Sequence, residues 1–161
     1  MNMDGIKNMT KTYIFDLDGT LALIEHRRHL VEKPKPEWRE FFKACIKDVP
    51  NFPVIDTLIT LYNAGYNIII ASGRSDEVKS ETLDWLNTYV LPNIEHRDRI
   101  AIVMRNEGDF RSDVVLKKEW LDMGLLGPKY NIKAVFDDRD SVVEMWRENG
   151  LACFQVAKGS F

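Results

Sequence analysis

The sequence predicts an α/β domain built on a doubly wound, five-stranded parallel sheet, and three observations predict it. Five short apolar runs recur along the chain: TYIF (12–15), NIIIAS (67–72), IAIVM (100–104), KAVF (133–136) and ACFQV (152–156). Several are continuously apolar and β-branched instead of alternating, the pattern of strands buried on both faces. Helical patterns separate most of them, and strand–helix alternation implies a parallel sheet covered by helices.

The first strand runs into FDLDGT (15–20) and ends on Asp16 and Asp18. Residues 22–53 then break the alternation. They carry Pro34, Pro36, Pro50 and Pro53 and one amphipathic helical pattern, PEWREFFKACIKD (36–48). This segment reads as a small helical cap inserted over the sheet edge where ligands bind. The next helix, 54–65, places Val54, Leu58, Leu61 and Tyr62 on one side and stops at Gly65. The second strand ends on Ser72-Gly73-Arg74. The helix after it, 75–89, opens on Ser75 with Glu77 and Glu81 in its early turns, a good start signal. The charged loop EHRDR (95–99) leads into the third strand. A shorter helix, 116–124, has Lys117 near its start. The fourth strand ends on Asp137-Asp138, and the helix 139–150 closes on Asn149-Gly150, a good stop. Trp85, Trp120 and Trp146 sit among apolar neighbours at helical positions and are expected in the core. Trp38, beside Phe41 and Phe42, reads either as core or as a surface on which a nucleobase stacks.

A chain of 161 residues suggests one domain, 1–161, large enough to bury a core without staples. Its 45% hydrophobic and 29% charged residues are ordinary globular values. A formal net charge of −3 argues against a strongly basic nucleic-acid binder and leaves room for a local basic patch. Cys45 and Cys153 are far apart and in no metal-like spacing, which suggests reduced thiols. The opening MNMDGIKNMTK lacks the apolar core of a signal peptide, and no apolar run approaches the roughly 20 residues of a membrane helix. A cytoplasmic protein is expected, with a loose lead-in and Met9 as an alternative start.

The strand ends carry the chemistry. Ligands of open α/β sheets bind beyond the carboxyl ends of the strands. Asp16 and Asp18 lie two apart, on one side of extended backbone. With Asp137 and Asp138 they make four acids, and crowded carboxylates repel unless a cation joins them or one takes a proton. Hard oxygen ligands of this kind suit Mg2+. Ser72, Arg74 and Lys117 supply the opposite: hydrogen-bond donors and positive charge for an anion. Acids with a metal on one side and donors on the other make a phosphoryl site, where an aspartate can attack phosphorus.

FDLDGT (15–20), ASGR (71–74), Lys117 and FDDRDSVV (136–143) resemble, in order, the four motifs of the haloacid dehalogenase (HAD) superfamily of phosphohydrolases. The resemblance implies a HAD fold, with Asp16 as nucleophile and Asp18 as general acid/base. It also implies Ser72 and Lys117 on the phosphoryl oxygens. Mg2+ would be held by Asp16, the Asp18 backbone carbonyl and Asp137, with Asp138 a further ligand or a water-holder. The second aspartate favours phosphate esters over carbon–halogen bonds. The last third, FDDRDSVVEMWRENGLACFQVAKGSF (136–161), is similar to the 3′-phosphatase domain of phage polynucleotide kinase. That resemblance implies active-site places for Arg27, Arg74 with Gly73, Asp113 and Lys117. The arginines would bind phosphate or order its ligands, and Asp113 would orient Lys117 or an arginine. Arg139 is expected either to pair with a carboxylate or to meet substrate. His26, Arg28 and His29 read as rim residues.

The expected activity is a magnesium-dependent phosphomonoesterase acting on 3′-phosphorylated DNA or RNA ends. Two alternatives stand beside it: a phosphatase of free nucleotides or other small phosphate esters, and a non-enzymatic receiver-like phosphoacceptor. The order of the acids and the lysine along the strands disfavours the receiver. The sequence contains no GxxxxGK[ST] loop, so a phosphatase alone is expected, with any kinase or ligase partner on another chain.

Overall fold

The computed structural model describes residues 10–161, so the lead-in and Met9 lie outside the described residues. The strands of the main sheet are β1 (Thr12–Phe15), β4 (Asn67–Ser75), β5 (Ile100–Arg105), β6 (Ile132–Asp137) and β7 (Cys153–Gln155). They lie in the order β5-β4-β1-β6-β7, and every pairing is parallel. Strand β1 is central because both faces of TYIF are apolar. Ile14 packs into the cluster on one face with Trp120, Val142 and Trp146, whereas Phe15 joins the other with Leu58, Ile70 and Trp85. Successive strand residues point to opposite faces, so two adjacent apolar residues anchor two helical layers. The three tryptophans expected in the core are 2%, 6% and 0% exposed for Trp85, Trp120 and Trp146.

The strand order places the functional crevice. From β1 the chain runs to β4 and β5 on one side of it and then crosses back to β6 and β7 on the other. A reversal of this kind opens a cleft at the carboxyl end of the central strand, where Asp16 and Asp18 stand.

The helices covering the sheet are α3 (Phe52–Asn63), α4 (Lys79–Tyr89), α5 (Asp113–Asp122) and α6 (Asp140–Glu148). Three depart from the expected pattern. Helix α4 begins at Lys79, four residues after the expected 75, because β4 runs on to Ser75 and a tighter turn, Asp76–Val78, precedes the helix. In α3 the buried pair is Ile55 and Leu58; Val54, Leu61 and Tyr62 are only partly covered. Helix α5 begins three residues before the expected 116, because the Ser112 hydroxyl accepts from the Val115 amide at 3.4 Å and caps it. Lys117 is thereby in the second turn and points inward.

Residues 22–53 carry their own small elements. The strands β2 (Ala22–Leu23) and β3 (Val49–Pro50) pair antiparallel and bring the ends of the segment together. Two-residue strands are too short to show a period, so the sequence gives no sign of them. Between them lie α1 (Glu25–Arg28) and α2 (Trp38–Lys43). The helix expected over 36–48 is α2 followed by a tighter turn, Ala44–Lys47.

Candidate active site

The carboxyl ends of β1, β4 and β6, the first turns of α5 and the segment 22–53 surround one cavity of about 460 Å³. Its floor holds two charge clusters with different balances.

The first cluster is Asp16, Asp137, Asp138 and Lys117, all of them buried. Lys117 Nζ donates to Asp16 Oδ1 at 2.8 Å and to Asp137 Oδ2 at 3.0 Å. Asp137 also accepts from the Asp138 amide (2.9 Å) and from Trp146 Nε1 (3.2 Å), which hold it in place. Carboxylate oxygens of Asp16, Asp137 and Asp138 lie within 4.8 Å of one another. Three carboxylates against one ammonium leave two negative charges in a buried site. Burial pushes the Asp16 carboxyl well above its usual range; Lys117 opposes that shift, and Asp137 and Asp138 add to it. Burial, reinforced by Asp137, pushes Asp138 up to about 6. This donor set fits a divalent cation: it is all oxygen, short of positive charge, and converges from two strand ends.

The second cluster is neutral. The Asp18 carboxylate accepts from Arg27 Nη2 at 2.7 Å and from Arg74 Nη2. Asp48, fully buried, accepts from Arg27 Nε (2.7 Å), Arg27 Nη2 (2.6 Å), Arg74 Nη2 (3.1 Å) and pairs with His26 Nε2 (2.8 Å). Two acids balance two guanidinium groups. Burial alone would raise the Asp18 carboxyl, but Arg74 and Arg27 outweigh it and hold the group well below the usual carboxylate range. The arginines are 0% and 1% exposed. Arg27 also donates to the Phe41 carbonyl at 3.0 Å, which ties α2 to the site. Arg74 lines the cavity, and its Nε has no partner among the described residues.

Two glycines let these clusters close. Gly19 has φ +85°, and a Cβ there would lie 2.1 Å from Asp138 Oδ2. At Gly73 a Cβ would lie 2.5 Å from Asp113 Oδ1. Gly73 therefore makes room for Asp113, which pairs with Arg105 (2.5 Å) and Arg139 (3.3 Å). Of the two partners expected for Asp113, arginine is the one found; Lys117 turns to Asp16 and Asp137 instead. For Arg139 the carboxylate pairing is likewise present. Ser72 is fully buried, and its hydroxyl accepts from the Arg74 amide at 3.1 Å. His29 is exposed, as expected of a rim residue; His26 is exposed as well but turns its ring inward to Asp48. The core reading for Trp38 is corrected: it is 40% exposed and lines the cavity, because α2 lies over the opening and not against the sheet.

Sequence reasoning passed over three residues. Asp48 sits in no motif; the signal available was the charge count, since two arginines beside Asp18 require a second acid. Thr20, inside FDLDGT, places its hydroxyl 3.3 Å from Asp16 Oδ2 and 3.4 Å from Asp138 Oδ1. Arg105, the last residue of β5, stood at a strand end as the other site residues do.

The model of the polynucleotide kinase PNKP phosphatase domain matches residues 10–161. The chain belongs to this family. As a HAD-type phosphatase domain, it has the relatives its fold leads one to expect. A protein of Autographa californica nuclear polyhedrosis virus, assigned as a bifunctional polynucleotide kinase/RNA ligase, is 32% identical over 139 residues, 86% of this chain and 18% of the viral one. A chain of the Pnkp1/Rnl/Hen1 complex is 32% identical with a TM-score of 0.77, over 96% of this chain and 48% of that one. The class C acid phosphatase from Bacillus anthracis shares the fold at 16% identity and a TM-score of 0.56, over 86% and 56% of the two chains. The PNKP-type phosphatase domain here thus spans less than half the length of the first two relatives. No helix among the described residues is long and apolar enough to cross a membrane.

The unbalanced acid cluster has a measurable consequence for stability. Asp138, with an ordinary pKa of 3.8, is pushed up to about 6 in the fold. A raised carboxyl stabilises the fold when protonated; that contribution is complete below about 3.8 and is lost as pH rises through about 6. Asp16 acts in the same direction. Asp18 acts in the opposite one, but its contribution is lost only in strong acid. In EDTA the protein should therefore melt higher at pH 5 than at pH 8, by about 1–2 kcal/mol or roughly 3–6 °C. Adding Mg2+ should shrink or reverse the difference, because a cation favours the ionised acids. Equal or higher melting temperatures at pH 8 in EDTA would contradict this account of the cluster.

Proposed function

We propose that this domain hydrolyses 3′-phosphate ends of nucleic acid through a phosphoaspartate on Asp16, with Mg2+ as cofactor. The observation that carries the reading is the pairing of two unlike clusters on one cavity floor: an electron-rich acid group short of two positive charges, and a neutral group built around Asp18. Membership of the polynucleotide kinase phosphatase family supports the nucleic-acid substrate, and the names of the relatives favour RNA.

Asp16 Oδ attacks phosphorus, and the bond from phosphorus to the 3′ oxygen breaks. Asp18 delivers a proton to that oxygen. In the resting arrangement Asp18 is a poor acid, because Arg27 and Arg74 hold it ionised. A phosphate arriving beside Arg74 competes for the same guanidinium, loosens its hold and lets Asp18 take up a proton from solvent. Asp18 then takes a proton from water, the water oxygen attacks phosphorus, and the Asp16–phosphorus bond breaks. Inorganic phosphate leaves, Asp16 is a carboxylate again, and Asp18 returns its proton to solvent as Arg27 and Arg74 close on it. Lys117 and the Ser72 hydroxyl neutralise and orient the phosphoryl oxygens, and preorganised charge of this kind contributes heavily to catalysis. Arg27 and Asp113 act by positioning: Arg27 through Asp18, Asp113 through Arg105 and Arg139. Asp16, Asp137 and Asp138 would hold the Mg2+ ion, which when bound neutralises charge so that one anion can approach another. The segment 22–53 acts as a cap, and residues 10–161 work as one unit. A kinase and a ligase are the natural partners, since phosphate removed from a 3′ end prepares that end for joining.

The test is phosphate release with Mg2+ or EDTA from four substrates: 3′- and 5′-phosphorylated oligonucleotides and 3′- and 5′-mononucleotides. A Mg2+-dependent preference for the 3′-phosphorylated oligonucleotide is expected. Faster turnover of mononucleotides would replace this reading with one in nucleotide metabolism.

A further inference from the structure

The cavity is much larger than a phosphate group requires. At about 460 Å³ it falls in the range of sites that enclose whole small molecules, roughly 300–1,000 Å³. Its floor accounts for the phosphate, but the upper walls are of another character. Trp38 projects from α2, braced edge-on by Phe41 at 5.9 Å and backed by Phe42 at 6.2 Å, and remains 40% exposed. Phe110, on the loop between β5 and α5, is 87% exposed. Single exposed aromatics are ordinary on protein surfaces. These two line the same void, from segments more than sixty residues apart in sequence, above a phosphate-type floor.

The charged residues at the opening narrow what could bind there. Arg39 pairs with Glu77 at 2.7 Å, and Arg111 with Asp109 at 2.7 Å and with Glu119. Arg139 pairs with Asp113 at 3.3 Å and lies over the Phe161 ring at 4.7 Å. Arg105 shares Asp113 with Arg139, but Glu107 lines the same mouth, so four arginines there face four acids, Glu77, Glu107, Asp109 and Asp113, and the chain as a whole carries a net charge of −3. A phosphodiester backbone gains little from such a rim, since backbone affinity depends on cations free to replace counterions. Aromatic faces remain, and they bind any base by stacking without reading its edge.

We infer that Trp38 and Phe110 form a stacking subsite for the nucleobase of the terminal, 3′-phosphorylated nucleotide. This inference rests on the nucleic-acid reading above and adds how the end is gripped: by its base, through two aromatic faces, with little preference among bases. A base must leave the duplex stack to reach these faces, so frayed or single-stranded ends are the favoured form.

The experiment compares two 3′-phosphorylated oligonucleotides, identical except that one has an abasic terminal sugar. Stacking of one base is worth roughly a 5- to 150-fold factor in binding. The parent protein should favour the base-bearing end by about tenfold in kcat/KM, mostly through KM. Trp38→Ala and Phe110→Ala should each bring that ratio toward one, whereas Trp38→Phe should keep most of it. Phe110 is so exposed that its replacement leaves the fold alone, which guards against a folding failure in the Trp38 variant. A parent ratio near one, or a ratio that persists in both alanine variants, would overturn the subsite and leave the end-repair reading standing. If the parent hydrolyses p-nitrophenyl phosphate but releases nothing from either oligonucleotide, the nucleic-acid reading itself fails, and the subsite with it.

Discussion

Asp16→Asn should lower phosphate release by about 10⁴-fold or more and leave the protein folded. On the proposed mechanism Asp16 is the nucleophile, and losing it removes the pathway and not merely one stabilising contact. The fold should tolerate the change well. Asp16 is crowded by Asp137 and Asp138 and is buried at 5% exposure. An amide of the same shape removes one of the charges in excess and still offers an oxygen to Lys117 Nζ, now 2.8 Å from Asp16 Oδ1. In EDTA the melting temperature should match or exceed the parent's. The check is paired: phosphate release on the 3′-phosphorylated oligonucleotide, and thermal unfolding of the same preparation. Activity within tenfold of the parent would rule out Asp16 as the attacking group.

Asp48→Ala should damage both stability and activity, although Asp48 belongs to no motif. Its carboxylate takes hydrogen bonds from Arg27 and Arg74 at 2.6–3.1 Å, and its backbone carbonyl accepts from Trp85 Nε1 at 2.9 Å. Without it, two buried guanidinium groups share only Asp18. Breaking a buried charge arrangement from one side costs about 3–5 kcal/mol, a large part of the 5–15 kcal/mol that holds a typical domain. The melting temperature should fall by roughly 10 °C or more. Activity should fall too, because both arginines are drawn fully onto Asp18 and deepen its reluctance to carry a proton. Asp48→Asn keeps the size and one acceptor oxygen and should lose less on both counts. A melting temperature within about 2 °C of the parent in Asp48→Ala would mean the hub is not structural.

These two residues divide what could be read in advance from what could not. Asp16 was legible because it follows an apolar strand in a dense local pattern, FDLDGT; its neighbour Asp18 lies in the turn beyond the strand and joins a separate cluster with Arg27 and Arg74. Lys117, Asp137 and Asp138 were legible for the same kind of reason: each follows a recognisable strand or begins a helix at the edge where such sheets bind ligands. The five main strands were equally plain, because burial on both faces writes itself as runs such as NIIIAS. Thr20 lies inside FDLDGT and Arg105 ends a strand, so both were open to the same reading, whereas Asp48 carries no comparable mark. Asp48 meets Arg27 and Arg74 only after β2 and β3 pair and return the end of the inserted segment to the sheet.

The sequence by itself determined the fold class, the parallel sheet and the acid and donor residues at its carboxyl edge, since periodicity and strand-end chemistry are local properties. Only the tertiary structure decided which opposite charges meet. It sent Lys117 to Asp16 and Asp137, gave Asp113 to Arg105 and Arg139, locked Asp18 between two arginines, and turned Trp38 outward over the cavity. Burial and pairing depend on residues distant along the chain, and a charge in a low-dielectric site is governed by its partners far more than by its neighbours in sequence.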